Sequence, residues 1–163
     1  MTVLTKERTP IRRRAGVLEE QAYVNLMLTA DYLSRRLEPV LRAAEISPTQ
    51  YNVLRILRGA PEGLTCGELG DRMISRDPDI TRLLARLEKR GLISRGRGRK
   101  DRRVVLTRIT DAGQKLLGRL DAPVLEAHKL LLGHLGGERL RILLRLLEEA
   151  RSPGATPSES YSL

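Results

Sequence analysis

The chain has 163 residues, a length that suits one well-buried domain, and its single cysteine, Cys66, excludes an internal disulfide framework. No apolar run approaches the roughly 18 residues of a membrane span, so a cytoplasmic protein without a membrane partner is expected. The formal net charge is +10, and residues 76–108 hold 12 basic and 4 acidic side chains, a concentration that favours a polyanionic partner.

A long first helix is predicted from Ala15 to Glu45, where apolar residues recur at alternating three- and four-residue spacings. Pro39 falls inside this stretch and should bend or divide the helix, because proline removes a backbone donor and crowds the preceding turn. The preceding residues, 1–14, are predicted to form a flexible basic arm.

Two capping boxes predict the starts of the next two helices. Ser47 is followed by Pro48 and then by Gln50, so one helix should begin there and stop before Gly59. Thr65 and Glu68 have the same spacing and open a short third helix that carries Leu69 and Met73.

A fourth helix should begin at a cap formed by Asp77 and Pro78 and end at Gly91. Its apolar stripe comprises Ile80, Leu83, Leu84 and Leu87, and its opposite, cationic side comprises Thr81, Arg82, Arg86, Lys89 and Arg90. Asp79 is either a helix-start charge favoured by the helix dipole or an acceptor for a cytosine amino group, and the first role is favoured.

The stretch RGRGRKDRR, residues 95–103, holds six basic side chains between two predicted strands, Leu92 to Arg95 and Arg103 to Thr110. Val105, Thr107 and Ile109 should share one face of the second strand. Gly96 and Gly98 permit the unusual dihedral angles of a hairpin tip, so the basic side chains are expected at that tip.

Two leucine-rich helices complete the chain. The fifth should run from Thr110 to Leu135 with a kink at Pro123, and the sixth from Glu138 to Ala150. Their leucines cover more surface than one buried stripe requires, so the first, fifth and sixth helices should bury surface against a second chain. Residues 152–163 are expected to be a disordered tail.

Two short helices followed by a hairpin have the order of a winged helix-turn-helix. The segments SPTQYNVLRIL, LTCGELGDRM, DITRLLARLEKRGLISR, KDRRVVLTRIT and DAGQKLL resemble successive segments of the MarR family of multiple antibiotic resistance regulators. The resemblance implies a mainly α fold with a small β wing. It also implies a homodimer formed by residues 15–45 and 111–151, and a DNA-binding lobe at residues 46–110.

Double-stranded DNA is therefore the expected partner. The fourth helix should read the major groove and the wing should enter the minor groove. The candidate DNA contacts are Arg76, Thr81, Arg82, Arg86, Arg95, Arg97, Arg99, Lys100, Asp101, Arg102 and Arg103. By the resemblance, Asp101 orients Arg103 toward DNA. The competing interpretations are a surface ion pair for Asp101 and an exposed face without base contacts for Thr81 and Arg82.

The resemblance also implies a small-molecule effector, such as an aromatic acid, in a cleft between the dimer helices and the DNA-binding lobe. Its candidate contacts are Tyr32, Arg36, Tyr51 and His128, for which an interlobe packing seam is an equal alternative. Cys66 is expected to be a partly buried filler rather than a redox sensor. His128 and His134 fall on different faces of an ideal helix, so no metal site is predicted.

No Ser-His-Asp set, phosphate-binding glycine loop or pair of carboxylates at useful spacing is visible, so neither an enzyme nor a cofactor is predicted. The favoured hypothesis is a sequence-specific, dimeric regulator, a ligand-responsive repressor on a pseudo-palindromic operator. The alternative is a sequence-tolerant RNA- or nucleoid-binding protein that uses the same basic surface. The absence of stacking aromatic residues from that surface disfavours it.

Overall fold

A computed structural model describes residues 17–74, 79–98 and 103–152. In chain order the elements are α1 (Leu18–Arg42), α2 (Pro48–Arg58), α3 (Cys66–Arg72), α4 (Ile80–Lys89), β1 (Ile93–Arg97), β2 (Val105–Ile109), α5 (Asp111–Leu132) and α6 (Gly136–Arg151), with a 3-10 turn (Gly133–Leu135) between the last two. The mainly α fold with a small β wing is confirmed. The predicted N-terminal arm, and the predicted tail beyond Ser152, lie outside the described residues.

Both predicted capping boxes form. Ser47 Oγ accepts a hydrogen bond from the Gln50 backbone N–H at 3.2 Å, and the Gln50 side chain accepts one from the Ser47 backbone at 3.1 Å. Thr65 and Glu68 repeat this exchange at the start of α3, with distances of 3.2 and 2.8 Å. These reciprocal bonds satisfy donors that the first turn of a helix otherwise leaves open, so both helices begin where the sequence predicted.

Proline does not divide the long helices. Pro39 lies inside α1, and the Ala43 N–H donates to the Pro39 carbonyl at 3.1 Å, so the helical bonding resumes within one turn. Pro123 lies inside α5 in the same way. The fifth helix ends three residues earlier than predicted, because the chain tightens into the 3-10 turn at Gly133 before α6 begins at Gly136.

One aliphatic core joins the helices and the base of the hairpin. Its most deeply buried side chains are Leu41, Val53, Leu54, Leu57, Leu69, Leu84, Leu87, Ile93 and Leu117. They come from α1 through α5, so the C-terminal part of α1 and the first half of α5 close the core around α2, α3 and α4. Seven of these nine side chains are leucines.

An ion pair fixes α2 against α5. The guanidinium of Arg58, the last residue of α2, donates three hydrogen bonds to the two oxygens of the Asp121 carboxylate, one of 2.8 Å and two of 3.0 Å. These bonds hold the pKa of Asp121 below its ordinary value. The pair is partly exposed, so it serves orientation more than stability.

The wing is an antiparallel hairpin in which Ile93 pairs with Ile109 and Arg97 pairs with Val105. Val105, Thr107 and Ile109 share one face, as predicted. The predicted strand ends were wrong, because β1 continues through Gly96 to Arg97. Arg97, which was predicted to lie at the hairpin tip, therefore lies within the paired strand together with Arg95.

A third segment is added to the sheet where the wing meets the core. Leu64, just before α3, exchanges two backbone hydrogen bonds with Thr107, at 2.8 and 3.0 Å. Thr107 is only 2% exposed, whereas Val105, two residues nearer the tip, is 52% exposed. The body of the protein therefore holds the lower part of the wing and leaves the outer part open to solvent.

Gly113 lies where α5 approaches the start of the wing most closely. A Cβ atom there would lie 2.3 Å from the Leu92 carbonyl oxygen and 2.7 Å from Cγ1 of Ile109. We expect Gly113→Ala to lower the free energy of unfolding by about 1–3 kcal/mol, because a backbone atom cannot move aside as a flexible side chain can. Urea unfolding at a fixed protein concentration measures the change.

Gly118→Ala is the matched control for this prediction. Gly118 lies in the same helix, and a Cβ atom there would meet nothing within 4 Å. We expect this substitution to be neutral or to stabilise by up to about 1 kcal/mol, because alanine is the better helix former. Equal unfolding free energies for the two variants would contradict a close contact at Gly113.

Candidate nucleic-acid interface

The helix α4 has one buried face and one cationic face. Leu83, Leu84 and Leu87 pack into the core. Arg82, Arg86 and Lys89 recur at spacings of four and three residues, which places them in one exposed row on the opposite side. The Arg82 side chain is 74% exposed. Thr81, which is also exposed, lies beside this cationic row in the first turn.

The N-cap of α4 is Asp79, and the predicted cap at Asp77 and Pro78 lies outside the described residues. The Asp79 carboxylate accepts a hydrogen bond from the Arg82 backbone N–H at 3.2 Å. The favoured helix-start role of Asp79 is therefore confirmed, and the predicted start was two residues early. The end of the helix is held by Arg90, whose guanidinium donates to the Glu45 carbonyl at 2.5 Å.

Asn52 in α2 holds the chain that leads toward α4. Its side-chain oxygen accepts a hydrogen bond from the Ile74 backbone N–H at 3.0 Å. This bond joins residues 22 positions apart and anchors the segment after α3 to α2. The predicted contact residue Arg76 lies outside the described residues.

Two of the predicted wing arginines lie on the face of β1 that meets α4. Arg95 and Arg97 are two residues apart and so point to the same side, about 6–7 Å from each other along the strand. The Arg95 guanidinium is bound to Glu88 of α4, with Nε donating at 2.8 Å. This bond holds the pKa of Glu88 below its ordinary value. The Arg97 side chain is exposed.

Arg103, just before β2, is also exposed. The remaining predicted contacts of the wing, Arg99, Lys100, Asp101 and Arg102, lie outside the described residues. The orientation of Arg103 by Asp101 therefore stays a prediction.

Glu88 was missed by the sequence interpretation. It is the only acidic residue of α4, and a single carboxylate in so cationic a helix indicates a specific partner. Its partner is seven residues away, beyond a turn, so no helical or strand periodicity connects the two.

Two of the four predicted effector residues lie side by side on α1, and the other two lie on α2 and α5. The Arg36 guanidinium lies 5.2 Å from the centre of the Tyr32 ring, on the exposed side of α1. Tyr51 is a buried residue of the core, and the Arg55 guanidinium lies 5.9 Å from the centre of its ring. His128 is exposed on α5. Tyr32 and Arg36 are therefore in contact, and a cleft shared by all four residues stays a prediction.

Cys66 is exposed at the first position of α3, so the prediction of a partly buried filler was wrong. Leu64 and Leu69 on either side fill the neighbouring core instead. Within residues 17–74, 79–98 and 103–152, no three His, Cys, Asp or Glu side chains cluster as metal ligands do. In the same ranges, no helix combines the length and apolar character needed to cross a membrane.

Comparison with known proteins identifies the family. The MarR family model matches residues 46–105, which run from the turn before α2 to the start of β2. The transcriptional regulator FarR of Neisseria gonorrhoeae is 31% identical over 127 residues, covering 77% of this chain and 86% of FarR. The chain belongs to the MarR family. It is accordingly a DNA-binding transcriptional regulator, and the candidate interface described above lies within the matched residues.

Solved structures of the MarR family have the same architecture. A MarR transcription factor from Planctomyces limnophilus is 43% identical, with a TM-score of 0.62 over 83% of this chain and 98% of that one. A mutant MarR from E. coli, solved in complex with operator DNA, has a TM-score of 0.74 over 84% of this chain and all of its own length. Its identity is 23%, so its likeness concerns the fold. The winged helix-turn-helix assignment is thereby confirmed.

Proposed function

We propose that this MarR family protein is a dimeric, ligand-responsive repressor that binds a pseudo-palindromic operator. Each α4 enters a major groove, and each wing follows the adjacent minor groove. The observation that carries the proposal is the exposed cationic row of Arg82, Arg86 and Lys89 beside a wing that presents Arg97. Positive charge on two neighbouring elements matches the phosphates on both sides of a groove.

The shape of α4 suits base reading. Its ten residues span about 15 Å, and a major groove about 12 Å wide accepts one such helix. Arg82 lies in the first turn, the part of a recognition helix that reaches base edges, and a guanidinium can donate two hydrogen bonds to guanine. Arg86, one turn later, is placed to donate hydrogen bonds to a second base or to a phosphate. Thr81 offers a hydroxyl beside them.

The wing is suited to a narrower groove. Arg97 and Arg103 extend from the solvent-exposed part of the hairpin, and both have exposed side chains. The negative potential of DNA is strongest where the minor groove is narrow, and arginine is favoured there. We infer that these two residues raise the affinity for duplexes of different sequence by a similar factor.

The dimer is inferred from apolar surface that one chain leaves uncovered. Exposed large apolar side chains of the terminal helices and their flanks are Val17, Leu18, Tyr23, Val24, Leu26, Met27, Leu28, Tyr32, Leu125, Leu130, Ile142, Leu144 and Leu146. No residue of the helix α6 is fully buried within the single chain. Surface of this extent marks an interface, so we assign residues 15–45 and 111–151 to dimerisation and residues 46–110 to DNA binding.

An effector would act through the spacing of the two α4 helices. That spacing must match one helical turn of DNA, roughly 34 Å, so a small rotation of one lobe is enough to release the operator. Tyr32 and Arg36 offer a ring and a guanidinium, groups that suit an aromatic acid. We therefore propose an aromatic acid as the effector class.

A selection from random duplex DNA by the full chain tests the proposal. We expect enrichment of one inverted repeat whose half-sites are centred about 10 base pairs apart, because two-fold symmetry of the protein is mirrored in its site. Affinity for the selected duplex should exceed that for random duplex by at least about a thousandfold. Enrichment without a motif, or equal affinity for single-stranded RNA, would instead support a sequence-tolerant binder.

A further inference from the structure

We propose that Glu88 and Arg95 form a strut that sets the angle between α4 and the wing, and that Arg95 positions the wing rather than touching DNA. The inference rests on the proposed function, because the angle matters only if both elements bind one duplex. It assigns a role to Glu88 and replaces the expectation that Arg95 is a DNA contact.

The strut ties down both the side chain and the backbone of Arg95. Oε2 of Glu88 accepts hydrogen bonds from Nε and Nη2 of Arg95, at 2.8 and 2.5 Å. Oε1 of Glu88 accepts a third from the Arg95 backbone N–H at 3.2 Å. Three donors on one carboxylate leave the strand little freedom to rotate about the helix.

The strut lies where the wing leaves the body of the protein. Arg95 pairs with Thr107 across the hairpin, and Thr107 is itself bound to Leu64. The next pairs toward the tip, Gly96 with Leu106 and Arg97 with Val105, lie beyond both of these attachments. The Arg95–Thr107 pair is therefore the pivot from which the outer wing extends, and Arg97 lies just beyond it.

The backbone hydrogen bonds of the turn between α4 and β1 do not reach as far along β1 as Arg95. The Leu92 N–H donates to the Leu87 carbonyl at 3.0 Å, and the Thr110 N–H donates to the Leu92 carbonyl at 3.1 Å. These bonds hold the chain only as far as the start of β1. The Glu88–Arg95 bonds attach β1 to α4 at the Arg95–Thr107 pair. Without them, the only hydrogen bonds that connect this pair to the body of the protein, within the described residues, are those between Thr107 and Leu64.

The charges distinguish a strut from a DNA contact. Glu88 and Arg95 are each about one-third exposed, with side-chain values of 36% and 31%. If Arg95 left Glu88 for a phosphate, an unpaired carboxylate would remain beside the DNA. A contact role therefore predicts that removing Glu88 leaves binding unchanged or strengthens it, whereas a strut predicts that removing Glu88 weakens binding.

The test measures binding of the full chain to its selected duplex by fluorescence anisotropy across a series of salt concentrations. We expect Glu88→Ala and Arg95→Ala each to weaken binding roughly three- to tenfold, the cost of ordering a loosened segment on binding. The double variant should be no weaker than either single one. The charge swap of Glu88→Arg with Arg95→Glu should recover most of the lost affinity.

Two controls accompany these variants. Arg97→Ala removes a charge from the same strand and should make the negative slope of log affinity against log salt less steep by about 0.9, whereas the strut variants should leave that slope unchanged. Glu38→Ala breaks a solvent-exposed ion pair on α1 and removes the same charge as Glu88→Ala. Glu38 is not one of the uncovered apolar side chains assigned to the dimer, so this variant should bind like the parent. Melting temperatures verify folding, and Glu88→Gln, which keeps the side-chain volume, replaces Glu88→Ala if that variant unfolds.

Amide hydrogen exchange without DNA tests the strut apart from the proposed function. Faster exchange in residues 93–109 is expected for Glu88→Ala and not for Glu38→Ala. Unchanged exchange, or binding by Glu88→Ala as tight as the parent's, would overturn the strut. Failure of the parent chain to select any duplex would overturn the proposed function and leave the exchange result to decide the strut.

Discussion

Replacing Arg82 with Ala is expected to weaken binding to the selected operator by roughly ten- to a hundredfold, equivalent to about 1–3 kcal/mol. Arg82 carries an exposed guanidinium in the first turn of α4. In the proposed complex this guanidinium makes a bidentate base contact, which truncation to alanine would remove. A base contact also carries sequence information, so a repeated selection with Arg82→Ala should return a motif that is relaxed at one position in each half-site. Anisotropy against single-base variants of the operator locates that position.

Arg103→Ala provides the contrast. Arg103 precedes β2 on the wing, where we expect contact with the backbone or the minor groove. Its truncation should weaken binding to all duplexes by a similar factor and leave the selected motif intact. If Arg82→Ala left both affinity and motif unchanged at fixed salt, α4 would not be the reading element.

Introducing a carboxylate into the uncovered apolar surface should have the second large effect. Leu144 on α6 is 58% exposed in the single chain. If α6 is buried in a dimer, Leu144→Glu places an unpaired charge in an apolar interface and shifts the protein to monomer. The operator affinity should then fall by at least about a hundredfold, because two half-sites no longer bind as one unit. Sedimentation equilibrium and anisotropy on the same samples measure both effects.

Arg145→Glu is the control for the dimer prediction. Arg145 is the next residue along α6 and falls on the polar side of the helix with Arg141 and Glu148. The same carboxylate placed there should leave the dimer and the operator affinity close to those of the parent. A Leu144→Glu protein that remained dimeric would show that α6 is not part of the interface.

Features encoded within one or two helical turns were predictable. The capping boxes at Ser47 and Thr65 need only residues three positions apart, and the structure has both. The two faces of α4 follow from a 3.6-residue period, which depends on no other part of the chain. Resemblance in the same segments was enough to predict the family.

Features that depend on distant contacts were predicted less well. Asp77 and Asp79 are equally good capping residues in sequence, and only the position of the Arg82 N–H shows that Asp79 is the cap. Cys66 was expected to pack inward, but Leu64 and Leu69 fill the core beside it. In each case competing residues had the same local propensity, and the packing decided between them.

The sequence by itself determined the order of the helices and the hairpin, the leucine core and the cationic side of α4, because each depends on local periodicity or composition. Only the tertiary structure decided which arginine faces which partner. Arg95 was expected to end the first strand and to contact DNA, yet the strand register continues past it to Arg97 and places Arg95 within reach of Glu88. The register of the hairpin depends on the burial of Ile93 and Thr107 in the body of the protein. Such contacts between separate elements leave no periodic pattern in the sequence, so the sequence alone could not predict the register.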